Sequence, residues 1–152
     1  MTIRVLDILE DTTVDGPGFR TTIYCAGCKH HCPGCHNPQS WDMNGGKTME
    51  IDDILEIILA DPFADVTFSG GDPFYQAEAF TALAKAIHQK SSKTIWCYTG
   101  FTLEQLLNDE AARALLKEID VLVDGPYIES LRSPDLPFRG SSNQRIIEKP
   151  LR

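Results

Sequence analysis

Four of the chain's five cysteines fall within residues 25–35, where the sequence reads CAGCKHHCPGC, and Cys97 stands apart. Thiolates this crowded point to a metal or a cluster. A loop that also holds Gly27, Pro33 and Gly34 is a poor place to bury four small apolar side chains, and in a reducing compartment crowded cysteines favour metal over disulfides. Three ligand sets compete. Two Cys-x2-Cys knuckles occur in zinc ribbons, but there they stand about a dozen or more residues apart, whereas here three residues separate Cys28 from Cys32. Four cysteines also suit a ferredoxin cluster, although the bacterial run has a different order of spacings and leaves no open iron. The third set is Cys28-x3-Cys32-x2-Cys35. Three thiolates on a cubane leave the fourth iron without a protein ligand, as chemistry on a bound small molecule requires. Cys25 then ends a strand as a small apolar side chain. His30, His31 and His36 lie beside the thiolates without being needed as ligands, and Lys29 reads as a solvated lysine.

Three further polar groups recur at comparable places: Gly70-Gly71-Asp72, Thr99-Gly100 and Asp124-Gly125. What positions them is an alternation of strand-like and helix-like segments. Residues 19–25 (FRTTIYC) are rich in β-branched and aromatic side chains and run straight into the cysteine loop. Ile51, Ile54, Leu55, Ile58 and Leu59 form a helical stripe that ends before Pro62. Residues 65–69 (DVTFS) read as a strand closed by the paired glycines. Phe80, Leu83, Ala84 and Ile87 form the next helical face, and residues 94–98 (TIWCY) the next strand. One helix is predicted over residues 102–118. Thr102 and Gln105 have capping-box spacing, with Phe101 and Leu106 placed as a hydrophobic staple. Residues 120–123 (DVLV) form a last, nearly all-apolar strand, and the tail beyond Pro126 carries no assignment.

Strands alternating with helices imply right-handed βαβ units and a mostly parallel α/β sheet. Each polar group then follows the carboxyl end of a strand, where α/β folds place their chemistry. A full eight-fold barrel takes about 250 residues. The 152 residues here are expected to form a single domain over residues 1–152, closing only part of a (β/α) barrel. Such a barrel is laterally open, so a polypeptide could enter from the side.

Composition narrows the partners. With 42% hydrophobic and 24% charged residues the chain matches ordinary globular usage, and neither a disordered nor a fibrous protein fits. Twenty-two acids against 14 bases give a net charge of -8, which argues against a nucleic-acid surface. No run approaches the roughly 18 apolar residues of a membrane span, and the first residues lack the pattern of a secretory leader. A cytoplasmic protein is expected.

Cys28-x3-Cys32-x2-Cys35 resembles the signature of the radical S-adenosylmethionine (SAM) superfamily, and Phe68-Ser69-Gly70-Gly71-Asp72-Pro73 resembles its glycine-glycine-acid motif. Within that superfamily, Val14-Asp15-Gly16-Pro17-Gly18, the run Cys32-Pro33-Gly34-Cys35-His36-Asn37 through Trp41, and Arg139-Gly140-Ser141-Ser142-Asn143-Gln144 are similar to the branch that activates anaerobic ribonucleotide reductases. The resemblance spans nearly the whole chain. It implies a laterally open barrel of the radical SAM type and a [4Fe-4S] cluster on Cys28, Cys32 and Cys35, with SAM on the fourth iron. Its further implication is reductive cleavage of SAM to methionine and a 5′-deoxyadenosyl radical, which takes a hydrogen from a glycine of the reductase large subunit. A flavodoxin-type electron donor is implied as well.

By the same resemblance Gly70, Gly71 and Asp72 hold the methionyl amino group, while Thr99 and Asp124 reach the rest of SAM or an associated cation. The chain departs from much of the superfamily in having Gly34 before the third cysteine and Asp72 where Glu is common. Both variants suit the reductase-activating branch. For Asn37 and Trp41 a place over the cluster is expected, and for residues 139–144 a loop closing over SAM or touching the reductase. Two other activities stay open. Another small radical SAM enzyme would cleave SAM without forming a radical on the reductase. A four-cysteine electron carrier or zinc module would not cleave SAM and would depend on Cys25.

Overall fold

The computed structural model describes residues 1–28, 30, 41–133 and 135–151. Lys29, His31, Cys32, Cys35, His36 and Asn37 lie outside the described residues. The chain runs β1 (Thr2–Thr12), β2 (Arg20–Cys25), β3 (Lys47–Glu50), α1 (Ile51–Ala60), β4 (Asp65–Gly70), a 3-10 turn (Pro73–Gln76), α2 (Ala77–Lys90), β5 (Ile95–Tyr98), α3 (Leu103–Leu106), α4 (Glu110–Leu116), β6 (Val121–Asp124), a second 3-10 turn (Glu129–Leu131) and β7 (Arg145–Glu148). Its strands form a seven-stranded sheet in the order β3-β1-β2-β4-β5-β6-β7. No helix among the described residues is long and apolar enough to cross a membrane.

The expectation of a mostly parallel sheet holds for its centre and needs correcting at both flanks. β2, β4, β5 and β6 run parallel, joined by crossovers that carry α1, α2, and α3 with α4. The pairings β3-β1, β1-β2 and β6-β7 are antiparallel. An antiparallel neighbour needs only a reversal of the chain, whereas a parallel one needs a crossover of a dozen or more residues. The short link between β1 and β2 leaves no room for one. These flanks also leave the sheet open.

Alternation along the parallel strands separates two unlike faces. Ile23 pairs with Phe68, Phe68 with Cys97 and Cys97 with Leu122, a row that crosses the sheet on one side and belongs to the buried core. Against it α1 sets Ile51, Ile54, Leu55 and Ile58, α2 sets Phe80, Leu83, Ala84 and Ile87, and α4 sets Leu115 and Leu116. The Phe68 and Phe80 rings lie 4.7 Å apart. Each fully buried Ile, Leu or Phe of this layer contributes about 2 kcal/mol by leaving water.

The other face is polar and aromatic: Arg20, Thr22, Tyr24, Thr67, Ser69, Trp96 and Tyr98 alternate with the core residues. Arg20, only 1% exposed, closes this face at the amino ends of the strands. Its Nε donates to Thr67 Oγ1 at 2.8 Å, Nη1 to the Pro17 carbonyl at 3.0 Å and Nη2 to the Val66 carbonyl at 2.9 Å, and the guanidinium stacks 5.6 Å from the Trp96 ring. Every such bond offsets desolvation that would otherwise be prohibitive.

The single helix predicted over residues 102–118 is two. Thr102 and Gln105 do form a reciprocal capping box, but α3 lasts one turn. Asp109 then accepts from the Ala112 N–H and caps a second helix, since an acceptor at that spacing favours a fresh start over continuation.

Candidate functional site

At the carboxyl ends of β2 and β4 the cysteine loop and the paired glycines meet backbone to backbone. The Gly71 N–H donates to the Cys25 carbonyl and the Asp72 N–H to the Gly27 carbonyl, both at 2.8 Å. A Cβ on Gly71 would stand 2.3 Å from the Gly27 oxygen, and one on Gly70 the same distance from the Cys25 nitrogen. Side chains are therefore excluded by contact with the cysteine loop. Cys28 lies beyond this contact, buried, its N–H directed to the Trp41 carbonyl at 3.3 Å. Trp41 is thus beside the first cysteine of the spacing motif.

The Asp72 carboxylate is fully buried and receives donors from three segments. Oδ1 accepts from the Phe74 N–H at 3.0 Å, capping the 3-10 turn. Oδ2 accepts from the Gly100 N–H and the Thr99 hydroxyl, each at 2.9 Å. His30 Nε2 reaches the same oxygen at 2.8 Å. The Phe101 N–H donates to Thr99 Oγ1 at 3.1 Å, which leaves the hydroxyl proton for Asp72. The His30 ring is held edge-on to Phe101 with centroids 4.4 Å apart, and lies 5.7 Å from Tyr75. It packs so closely on Gly100 that a Cβ there would come within 2.5 Å of it.

Cys28, Gly70, Gly71, Asp72 and Thr99 therefore share one site, and Asp124 belongs to its neighbour. Asp124, 1% exposed, pairs with Arg145 through both carboxylate oxygens and accepts from the Leu103 N–H at 2.8 Å, at the start of α3. Arg145 also grips Glu104. Its hydrogen bond to Asp124, then that to Glu104, holds its pKa above the ordinary value. The two sites join through Phe101, whose carbonyl accepts from the Gly125 N–H at 2.8 Å.

On the polar face a cavity of about 560 Å³ is lined by Asp15, Ser69, Tyr98, Tyr127, Phe138 and Arg139, among others. Tyr24 donates to Asp15 at its wall, and Phe138 packs edge-on to Trp96 at 5.5 Å. Among the described residues the Tyr98 hydroxyl and Arg139 Nε are buried without a hydrogen-bond partner. Gln144 ties residues 139–144 to this wall, accepting from the Gly140 and Ser141 N–H groups and donating to the Gly125 carbonyl. Neither Tyr98 nor the Asp15–Tyr24 pair stood out in the sequence. The strand period alone puts Tyr24, Ser69 and Tyr98 on this face, and that was the available signal.

The chemistry of the donors fits an iron-sulfur cluster. Cys28 is a buried thiol at the mouth, with its loop seated on glycine backbone. Cys25 and Cys97 are instead fully buried in the apolar core, where burial pushes both thiols well above their usual pKa. A thiol so placed stays protonated and is a poor ligand.

The 4Fe-4S single cluster domain family matches residues 14–147. The anaerobic ribonucleoside-triphosphate reductase-activating protein of Vibrio cholerae is 40% identical over 141 residues, covering 88% of this chain and 90% of that protein. The protein of the same name from Haemophilus influenzae is 36% identical over 154 residues, or 95% of this chain and 97% of its own. That of Enterobacteria phage T4 is 32% identical over 139 residues, 88% and 86% respectively.

Proposed function

This chain belongs to the family of anaerobic ribonucleoside-triphosphate reductase-activating proteins, and from that premise we propose that it is a radical SAM activase generating a glycyl radical on the large subunit of that reductase. The observation that carries the reading is the Cys28-x3-Cys32-x2-Cys35 spacing on a loop packed against Gly70-Gly71-Asp72. The open sheet is, in this reading, an incomplete barrel of the radical SAM type. Cys28, Cys32 and Cys35 would hold a [4Fe-4S] cluster. The backbone of Gly70, Gly71 and Asp72 would receive the methionyl part of SAM, with Thr99 and Asp124 bounding the rest of the site. A cluster held there would supply one-electron reduction of SAM, the chemistry by which its C–S bond would be cleaved and a hydrogen removed from the target glycine.

The protein's own task is placement and the exclusion of side reactions. Gly70 and Gly71 let the sheet edge approach the cluster loop without intervening side chains. Core packing keeps Cys25 and Cys97 out of the ligand set. The cavity on the polar face, with its unpartnered Tyr98 hydroxyl and Arg139 Nε, offers hydrogen bonds to an incoming segment of the reductase. A flavodoxin-type protein supplies the electron, and the cytoplasm supplies the reducing conditions that an open-iron cluster needs.

The test is reconstitution with iron and sulfide without oxygen, reduction by dithionite, addition of SAM and chromatographic measurement of 5′-deoxyadenosine. Product is expected to require Cys28, Cys32 and Cys35, each tested as the Ala variant, and not Cys25. With the reductase present, a glycyl radical is expected by electron paramagnetic resonance. No product from a fully loaded, reduced cluster, with or without the reductase, would overturn the reading.

A further inference from the structure

Asp72 is the acid of the glycine-glycine-acid motif, yet its carboxylate is wholly buried and, among the described residues, is bonded to Phe74, Thr99, Gly100 and His30. We propose that His30, Asp72 and Thr99 form a positioning knot that clamps the cluster loop to the sheet, so that the Asp72 side chain acts on the cluster through the loop. The inference rests on the activase reading for the identity of the cluster and deepens it by giving this carboxylate its own role.

The topology shows why a clamp is needed here. β2 ends at Cys25 and its parallel neighbour β4 at Gly70. Backbone bonds from Gly71 and Asp72 reach the segment that follows as far as Gly27, Ala26 donates to the Arg4 carbonyl and Cys28 to the Trp41 carbonyl. His30 is the side-chain anchor of this segment, and it lies between Cys28 and Cys32 in the sequence. Its ring is fixed in three ways: by Nε2 on Asp72 Oδ2 at 2.8 Å, by the edge-on contact with Phe101, and by the absence of a side chain at Gly100.

Asp72 is fixed in turn by Thr99 and Gly100 at the end of β5 and by its cap on the 3-10 turn. A rigid strand end, a capped turn and the cluster loop therefore share one carboxylate. Buried networks with every donor matched hold geometry far better than exposed ones. Asp also suits this work better than Glu would: an added methylene would have to fit where the residue is already 0% exposed.

Partners that orient a ligand-bearing segment typically change metal retention by about tenfold or more when removed. The experiment measures cluster loss from reconstituted protein under an iron chelator, without oxygen, by the decay of cluster absorbance. Thr99→Val and His30→Gln are expected to lose the cluster about tenfold faster than wild type, and Thr99→Ser, which keeps the hydroxyl, to retain the wild-type lifetime. A second readout needs no cluster: amide exchange at Gly100 and Phe74 in the apo protein is expected to quicken in Thr99→Val and not in Thr99→Ser.

Equal cluster lifetimes in all four proteins, or equal loss in Thr99→Val and Thr99→Ser, would overturn the knot. Unchanged exchange in Thr99→Val would do the same. Failure of the activase reading looks different: a wild-type protein that holds its cluster and makes no 5′-deoxyadenosine would leave the lifetime comparison standing.

Discussion

At the amino ends of the parallel strands buried cations are satisfied mostly by backbone carbonyls, and at the carboxyl end of β4 a buried carboxylate is satisfied by N–H groups, a hydroxyl and an imidazole. Arg20 donates to the Val66 and Pro17 carbonyls and to Thr67, while Lys93 Nζ donates to the carbonyls of Asp61, at 2.6 Å, and Ala64. These cations tie the links that precede β2 and β4 to the sheet. Asp72, at the opposite end, binds a turn, a strand end and His30 through one carboxylate. The same end leaves the Tyr98 hydroxyl and Arg139 Nε unmatched. The cations draw links onto the amino edge of the sheet, and the carboxylate draws His30 and its segment onto the carboxyl edge. Groups left unmatched there are the ones available to something from outside.

The comparison breaks most readily at Arg20. Arg20→Met removes the donors to Thr67 Oγ1 and to the Pro17, Val66 and Thr94 carbonyls in a buried setting, and is expected to cost about 3 kcal/mol of stability, measured by urea unfolding. Under the proposed function, its rate of SAM cleavage per folded molecule should match wild type. An unfolding midpoint unchanged by this substitution would end the idea that the amino ends are the structural half.

Tyr98→Phe has the opposite sign. Removing a buried hydroxyl that bonds nothing among the described residues should stabilise the protein by about 1 kcal/mol, read in the same unfolding experiment. A loss of stability would mean that the hydroxyl has a partner and that the carboxyl ends are not under-satisfied.

The smallest effect belongs to Glu104. The hydrogen bond from Arg145 holds its carboxylate below the ordinary 4.5. A depressed folded pKa contributes stability that is present above the unfolded value, and it is lost as pH falls through the lower folded one. Because Glu104 is solvent-exposed, solvent screens the pair and the slope should be slight. Its titration, followed by NMR, should move up toward 4.5 in Arg145→Met. No movement would show that the ion pair is absent in solution.

The central strands, α1 and α2 were legible because their apolar periods of two and 3.6 each bury a face. So was the convergence of the cysteine loop, Gly70-Gly71-Asp72 and Thr99-Gly100, since a parallel sheet carries the carboxyl ends of its strands to one edge. β1 was not read as a strand: only Ile3 and Val5 of its eleven residues are buried, so its outer half shows acids in place of an alternating core pattern. β3 and β7 are four-residue edges without a fully buried residue, and such strands are chosen by their neighbours more than by propensity. His30 was read as either exposed or supporting the cysteine ligands from behind, with no partner named. Its partner Asp72 is distant in sequence and its packing depends on Gly100, a relation that spacing along one segment does not encode.

The register of the parallel strands also sets an order in time. Arg20 must find Asp65, Val66 must find Ile95, and Trp96 must find Val121, each across a long stretch of intervening chain whose closure slows folding. The β1-β2 hairpin, closed by a short turn, faces no such search. A chain growing from its amino end can therefore form that hairpin, with the cysteine loop following it, well before β4 and β5 supply Asp72 and Thr99. The loop destined for the cluster spends that interval without its clamp, and the mouth of the sheet is among the last parts of the molecule to take shape.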